Sequence, residues 1–303
     1  MLTVICALGA GFCNASWAIL ARLAGVGAPE GLSRWRVGWY LVRQPVWLMG
    51  QAFALGVFVL SGVALYFGEL AVVQPLLVAE LIFALALRKF RLHDFVPVKS
   101  WYAAGLVCLG LAAFLVLADF HGGMRVPHVV EWVVALSACS LVAAVLLAVG
   151  RSGSPARRAG CIGAAAAVVW AVDASFVKQL TDTLHLHGFL GAFDHWPLYA
   201  LAVSGILGAV LTQAAFNAGP LSASQPALLI VDPLVSIILG VLIFGEHLDS
   251  TGPAIVGAVL ALLVMCVGVV LMSRWAPPSI EPIEGDPLTI MRYGRRPRTR
   301  STD

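Results

Sequence analysis

The stretch from Gln225 to Leu248, QPALLIVDPLVSIILGVLIFGEHL, is long enough and apolar enough to cross a lipid bilayer. It nevertheless contains Asp232, which is followed at once by Pro233. An aspartate at the centre of a membrane helix costs about 2.5 to 3.5 kcal/mol on insertion scales, so such a residue usually faces a polar cavity or a partner. The proline removes one backbone donor and frees a carbonyl that a cavity can use. The stretch therefore predicts a membrane span, disturbed at Pro233, with a functional acid.

An earlier stretch, residues 74–92 (QPLLVAELIFALALRKFRL), repeats this pattern. It opens with the same Gln-Pro pair and holds Glu80 one residue out of register with Asp232. When the second half of the chain is moved back by 151 residues, five of ten positions are identical. The matching pairs are Gly68 and Gly219, Leu70 and Leu221, Gln74 and Gln225, Pro75 and Pro226, and Leu77 and Leu228. We interpret this match as an internal repeat.

Composition places the chain in the membrane class. Of its 303 residues, 60% are hydrophobic and only 12% are charged, and the mean hydropathy of +0.92 is far above that of soluble domains. Apolar windows of sufficient length fall at residues 3–22, 46–67, 71–87, 101–118, 131–149, 160–178, 197–217, 225–244 and 253–273. The six cysteines lie in apolar segments without short paired spacing, which favours neither disulfides nor zinc. The expected fold is an all-α membrane protein, a polytopic bundle of about nine transmembrane helices.

The distribution of Lys and Arg predicts the orientation of these spans. If the N-terminus lies outside, the cytoplasmic segments hold 17 of the 19 basic residues, and only Arg125 and Lys178 remain outside. Cytoplasmic loops of membrane proteins carry such an excess. We therefore expect a multi-pass plasma-membrane protein with its N-terminus outside and its C-terminus in the cytoplasm. An odd number of spans between the repeats makes them enter the membrane from opposite sides, which is the plan of many secondary transporters.

A resemblance to a known family rests on motifs of the second half. Gly219-Pro220 and the Ser-Ala-Ser of residues 222–224 lead into Pro233-Leu234-Val235 and then into the Phe-Gly-Glu of residues 244–246. This pattern resembles the EamA repeat of the drug/metabolite transporter superfamily. The nine-span layout resembles the shortened one of the NIPA-type magnesium transporters. The internal repeat divides the chain into a first EamA-like repeat of four spans at 1–118, a one-span linker at 119–159 and a second four-span repeat at 160–273. The segment 274–303 is rich in Pro and charge and is expected to be a disordered basic cytoplasmic tail.

Three carboxylates fall inside predicted spans and are the first candidates for a substrate or ion pathway: Glu80, Asp173 and Asp232. Each could instead be a neutral acid bonded to a neighbouring helix, and Asp173 could pair with Lys178 one turn along. The amides within the spans are further candidates, although interhelical hydrogen bonding is the commoner role of such groups. These pathway candidates are Gln74, Gln225, Asn14, Gln213 and Asn217.

The predicted outer surface combines acids with six of the seven histidines. Such a surface attracts cations and changes its charge between pH 5 and 8, but any outer surface becomes acidic when Lys and Arg are kept inside. A role in metal binding is left open. The residues concerned are Glu69, Asp119, Glu131, Asp182, Asp194, Glu246 and Asp249, with His121, His128, His185, His187, His195 and His247.

The predicted function is that of a secondary transporter rather than an enzyme. It moves a small polar metabolite, amino-acid-like or similar, by alternating access, with proton coupling left open. A divalent cation such as magnesium is the alternative substrate, and a membrane scaffold without transport or an enzyme acting on lipid-linked substrates are the rival functions. The chain has no nucleotide-binding loop, so no cofactor is expected. The expected partners are a small-molecule or cation substrate and the lipid bilayer, with homodimerisation left open and no nucleic acid.

Overall fold

The structure, a computed structural model, describes residues 2–26, 43–91, 96–118, 120–121, 127–248 and 252–275. Ten α-helices make up nearly all of this part of the chain. They are α1 Leu2–Val26, α2 Pro45–Phe67, α3 Leu70–Leu77, α4 Glu80–Arg91, α5 Val98–Leu117, α6 Val129–Val149, α7 Pro155–Gly191, α8 Trp196–Ala218, α9 Leu221–Phe244 and α10 Gly252–Trp275. The first predicted connection, most of which falls within 27–42, and nearly all of the predicted tail lie outside the described residues.

Nine segments of the described chain are long and apolar enough to cross a membrane. Helices α3 and α4 together supply one of them, Leu70–Phe90, and each of the other eight helices supplies one. All nine predicted spans coincide with these segments. The largest difference is in α7, where the span covers Pro155–Leu186 rather than residues 160–178. The protein is thus an all-α polytopic membrane bundle, as its hydropathy predicts.

Glycines allow two of the spans to pack closely. Helices α5 and α10 pack side by side, and a Cβ on Gly110 of α5 would lie 2.5 Å from the backbone nitrogen of Met265. A Cβ on Gly268 of α10 would likewise lie 2.8 Å from the backbone nitrogen of Val107. Close backbone approach through small residues is the usual mode of helix association in a bilayer. Since apolar lipid gives no hydrophobic drive, these glycines hold α5 and α10 together.

Prolines have different effects in two corresponding spans. Between α3 and α4 the helix is interrupted at Val78 and Ala79, three residues after Pro75. Helix α9, in contrast, runs without interruption from Leu221 to Phe244 although it contains Pro226 and Pro233. The prediction that Pro233 disturbs its span is therefore wrong. The interruption lies in the other span, after Pro75. A proline removes a single donor, and a helix continues past it when its neighbours leave room.

Short irregular segments lie at one end of the bundle, which we call the closed face. Helix α7 departs from helical geometry at Gly188, whose φ of 70° is a conformation that other residues rarely adopt, and a 3-10 turn follows at Ala192–Asp194. Two short strands, β1 Phe120–His121 and β2 His247–Leu248, pair antiparallel. They connect the segment after α5 with the segment after α9. The start of the predicted linker is thereby tied to the second predicted repeat at this end of the bundle.

A cluster of aromatic rings lies at the same end of the bundle. Trp132 of α6 stacks on Phe176 of α7 with ring centroids 5.2 Å apart, and it meets Trp196 of α8 edge-on at 5.3 Å. Phe244 at the end of α9 completes the group, 6.1 Å from Trp132. Aromatic pairs in these geometries contribute about 0.5–1.5 kcal/mol beyond the area they bury. The aromatic cluster of Trp132, Phe176, Trp196 and Phe244 therefore anchors α6 to the second predicted repeat.

Candidate functional site

Glu80 lies at the first position of α4, where the interrupted span resumes. The side-chain amide of Asn14, from α1, donates a hydrogen bond to Oε2 of Glu80. Helix α1 approaches the interruption closely at Gly11, where a Cβ would lie 3.4 Å from the backbone nitrogen of Glu80. The carboxylate is therefore held at a helix N-terminus, which favours negative charge, by a neutral partner from another helix.

Asp173 lies on α7 and is bonded to α8. The hydroxyl of Ser204 donates a hydrogen bond of 2.6 Å to Oδ1 of Asp173. A Cβ on Gly205 would lie 3.5 Å from the same oxygen, so this part of α8 borders the carboxylate directly. The alternative in which Lys178 pairs with Asp173 is wrong, because Lys178 pairs with Glu246. One helical turn brings the two residues near each other along α7, but their side chains serve different neighbours.

Asp232 links the other two acids. It lies on α9, and Ser236, one turn further along the same helix, donates a hydrogen bond of 3.3 Å to its Oδ1. Asp232 also interacts electrostatically with Glu80 and with Asp173. These three acids, which we call the carboxylate trio, are partly buried and come from three helices, α4, α7 and α9. The structure thus brings together the three intramembrane acids that the sequence predicts as pathway residues.

The predicted amides divide into two groups. Asn14 joins the trio through Glu80, and Gln74 is buried in α3 with 5% of its surface exposed. The side chains of Gln213, Asn217 and Gln225 are exposed. Thr212, next to Gln213, does make an interhelical contact, since Trp170 donates a 3.0 Å hydrogen bond to its hydroxyl. The part of the chain that the structure describes therefore connects one predicted amide to the trio and leaves three on its surface.

Glu246 is the charged residue that sequence reasoning misplaced. It was expected on an open outer surface, but only 1% of it is exposed. Its Oε1 lies 2.5 Å from Nζ of Lys178, which is itself 3% exposed. Gly245 turns the chain at the end of α9 with φ of 65°, a left-handed conformation, and so directs Glu246 inward. The signal in the sequence is Lys178, because a lysine within an apolar span requires a partner.

Other members of the predicted outer surface have local partners. Glu131 caps α6 by accepting a 2.8 Å hydrogen bond from the backbone N–H of His128. His185 is hydrogen-bonded to the hydroxyl of Tyr66 at 2.9 Å, and His195 to the carbonyl of Gly191 at 2.7 Å. Among the residues that the structure describes, no three His, Cys, Asp or Glu side chains are grouped as metal ligands. The side chains of Asp119, Asp249, His121, His187 and His247 lie outside those described.

Comparisons with known proteins identify one relative. The chain is 29% identical over 231 residues to an uncharacterized protein of Corynebacterium glutamicum, and the match covers 76% of this chain and 80% of that protein. No protein-family model matches the chain. No solved structure matches it either. The match extends over most of both chains.

Proposed function

We propose that this protein is a secondary transporter that moves a small polar solute carrying a positive charge through the carboxylate trio by alternating access. The observation that carries the proposal is that three partly buried acids lie on three different helices of an apolar bundle, with Asp232 near enough to Glu80 and Asp173 to interact with both. Acids inside membrane spans normally mark substrate or proton pathways. Their hydrogen-bond partners, Asn14, Ser204 and Ser236, are neutral.

Charge balance explains why such a site would carry a cation. Two unit charges 4 Å apart repel by about 4 kcal/mol at an effective dielectric constant of 20, and the repulsion grows as water is excluded. Like charges in the trio therefore favour binding of a cationic group or of protons. A ligand that neutralises the trio changes the electrostatic energy of the site on loading and on release. Such a change is what a transporter needs to couple occupancy to a conformational change.

Helix packing supports the two predicted inverted repeats and the resemblance to the drug/metabolite transporter superfamily. Helix α1 packs on α2 as α7 packs on α8. A Cβ on Gly68, before α3, would meet the side chain of Thr3 at the start of α1. A Cβ on Gly219, before α9, would meet Pro155 at the start of α7 in the same way. In both predicted repeats the third span thus begins beside the start of the first, as duplication implies.

The spacing of the acids favours an organic solute over a compact ion. Each acid has its own hydrogen-bond partner, and the three acids lie on separate helices. A solute with an amine and further polar groups can reach several of them at once. Magnesium demands near-ideal octahedral geometry at short distances and usually keeps several waters. We therefore rank an amine-bearing metabolite first and magnesium second, and both rank above a scaffold or an enzyme of lipid-linked substrates.

Flux measurements in reconstituted vesicles test this proposal. Wild-type protein should take up at least one member of a panel of amines, cationic amino acids and divalent cations, with and without a proton gradient. Glu80→Gln and Asp232→Asn should each lower that flux at least about tenfold, since one charged hydrogen bond is worth about 1.5–3 kcal/mol. Asp194→Asn makes the same chemical change at an exposed acid and should leave flux unchanged. Wild-type flux in both trio variants would refute the site assignment.

Orientation in the plasma membrane is part of the same proposal. The N-terminus lies outside and the C-terminus in the cytoplasm, because this arrangement keeps 17 of the 19 basic residues inside. A reporter fused after Arg300 should read cytoplasmic. A reporter inserted at Gly188, at the end of α7, should read external. If both reporters lay on the same side, the number of spans between them could not be odd. That result would contradict both the nine-span topology and the inverted repeats.

A further inference from the structure

Four groups from both predicted repeats meet at one end of the bundle. Glu246 accepts a 2.7 Å hydrogen bond from the backbone N–H of Leu70 through Oε1 and a 2.9 Å hydrogen bond from that of Ala71 through Oε2. The ammonium group of Lys178 donates to the same Oε1 at 2.5 Å. We call this arrangement the Glu246 latch. It joins α3 of the first predicted repeat to α7 and to the end of α9 in the second.

Each contact in the latch is of a strong type. The backbone donors are the first N–H groups of α3, which have no acceptor within the helix and carry the positive end of its dipole. The ammonium group of Lys178 lies 4.8 Å from the ring centre of Phe244, a member of the aromatic cluster. Lys178 and Glu246 are almost completely buried. One carboxylate thus satisfies a buried cation and a helix end together, at a place that excludes water.

Close packing leaves no alternative position for this carboxylate. Gly240, one turn before the end of α9, has no side chain, and a Cβ there would collide with the carboxylate of Glu246. The backbone N–H of Glu246 is itself bonded to the carbonyl of Gly240 at 3.1 Å. A partial displacement would leave a buried charge without a partner, which favours separation of the latch as a unit.

The opposite end of the bundle is held by other contacts. The hydroxyl of Ser100 on α5 donates a 2.8 Å hydrogen bond to the backbone carbonyl of Trp275 on α10. Helix α9 begins at this end against α7, where a Cβ on Gly163 would lie 2.8 Å from the carbonyl oxygen of Ser224. The buried ion pair of the latch therefore belongs to the end of the bundle at which α3 begins and α9 ends.

We infer that the Glu246 latch is the closed gate of the transporter on this face, which must separate before solutes on that side reach the carboxylate trio. The inference rests on the proposed function and deepens it, because it assigns a conformational step to residues outside the trio. Phe244 of the aromatic cluster contacts Lys178 of the latch, and the β1–β2 ladder begins one residue after Glu246. In the structure this face is closed, and the ion pair and the two backbone hydrogen bonds separate together when it opens.

Thiol labelling tests the gate without any need for transport. In full-length protein with its six native cysteines replaced by serine or alanine, Val73→Cys places a thiol on fully buried α3 surface one turn from Leu70. Val107→Cys is the matched control, since Val107 is equally buried but packs against α10 away from the latch. A membrane-impermeant maleimide is applied from the predicted external side to each cysteine variant in vesicles.

Neutralising both partners with Lys178→Met and Glu246→Gln should speed labelling at position 73 by about tenfold or more and leave position 107 unchanged. Glu246→Asp retains the charge but cannot reach all its partners, so it should give a smaller increase in the same direction, with folding checked by the unfolding midpoint in detergent. Unchanged labelling at position 73 in both backgrounds would overturn the gate, and so would an equal rise at both positions. Latch-dependent labelling in a protein that moves no solute would instead refute the proposed function and leave the gate in place.

Discussion

The two spans that begin with Gln-Pro and carry an acid are similar in sequence and different in structure. The span formed by α3 and α4 is interrupted just before Glu80, whereas α9 continues through Pro226, Asp232 and Pro233. Glu80 is bonded to Asn14 of another helix, and Asp232 to Ser236 of its own. The position of an acid in a span thus follows from local sequence, but its partner depends on the neighbouring helix.

The neighbouring helices also differ at these two places. Gly11 of α1 faces the interruption at a distance that a Cβ would just tolerate, 3.4 Å from the nitrogen of Glu80 and 3.6 Å from the carbonyl oxygen of Leu77. Gly163 of α7 faces the beginning of α9, and there a Cβ would collide with Ser224. The same Gln-Pro signal is thus followed by an interrupted helix beside α1 and by a continuous helix beside α7.

The largest effect is expected where the two spans are joined, at Glu246. Lys178→Met should lower the free energy of unfolding by about 3–5 kcal/mol, because it leaves a buried carboxylate without its counter-ion. The double variant Lys178→Met with Glu246→Gln should recover most of this loss. Unfolding monitored in detergent for the two variants and the wild type measures both values. Equal losses in the single and double variants would show that the ion pair itself is not the cause.

The next largest effects should come from removal of the hydrogen-bond partners of the two acids, and they should differ between the two spans. Asn14→Ala removes an interhelical bond from a carboxylate and should cost about 1–3 kcal/mol of stability. It should also reduce flux, because Glu80 loses its position. Ser236→Ala is the matched change at Asp232 and should cost less, since its bond is a long one within a single helix. Parallel unfolding and flux measurements compare them, and a larger loss in Ser236→Ala would reverse our reading of the two acids.

A methyl group added at Gly11 or at Gly163 should show how tightly each glycine packs against its neighbouring span. Gly163→Ala places a Cβ 2.8 Å from the carbonyl oxygen of Ser224 and should cost about 1 kcal/mol, as overpacking outweighs the gain in helix propensity. Gly11→Ala meets only atoms at 3.4 Å or more and should be neutral or slightly stabilising. Thermal unfolding in detergent ranks the two variants. If Gly11→Ala were the more damaging, the interruption before Glu80 would be packed more tightly than we infer.

The smallest effect concerns the paired glutamines. Gln74 is buried and Gln225 is exposed, although they open the two matching stretches. Gln74→Ala should lower stability by about 1 kcal/mol, whereas Gln225→Ala should remain within about 0.5 kcal/mol of the wild type. Unfolding midpoints of the two variants test this difference. A loss at Gln225 as large as that at Gln74 would place Gln225 in a polar contact after all.

Hydropathy and charge predicted the class of fold and the places of the nine spans. They also selected the three acids, because an ionised group within an apolar span stands out without any knowledge of its surroundings. The same reasoning placed Glu246 on an open surface, since a glutamate just after a span looks like an ordinary loop acid. It offered Asp173, which is close along α7, as an alternative partner of Lys178. The structure pairs Lys178 with Glu246, 68 residues away along the chain.

The sequence by itself determined the features that depend on the transfer of each segment from water to lipid. These features are the length and number of the spans and the unusual presence of Glu80, Asp173 and Asp232 within them. Each can be calculated from residues that are adjacent in the sequence. Only the tertiary structure decided which helix supplies each polar partner and which of the two spans is interrupted. It also decided that Glu246 is buried at one end of the bundle. These depend on how closely two backbones approach, and that distance is set by glycines and side chains far apart in the chain.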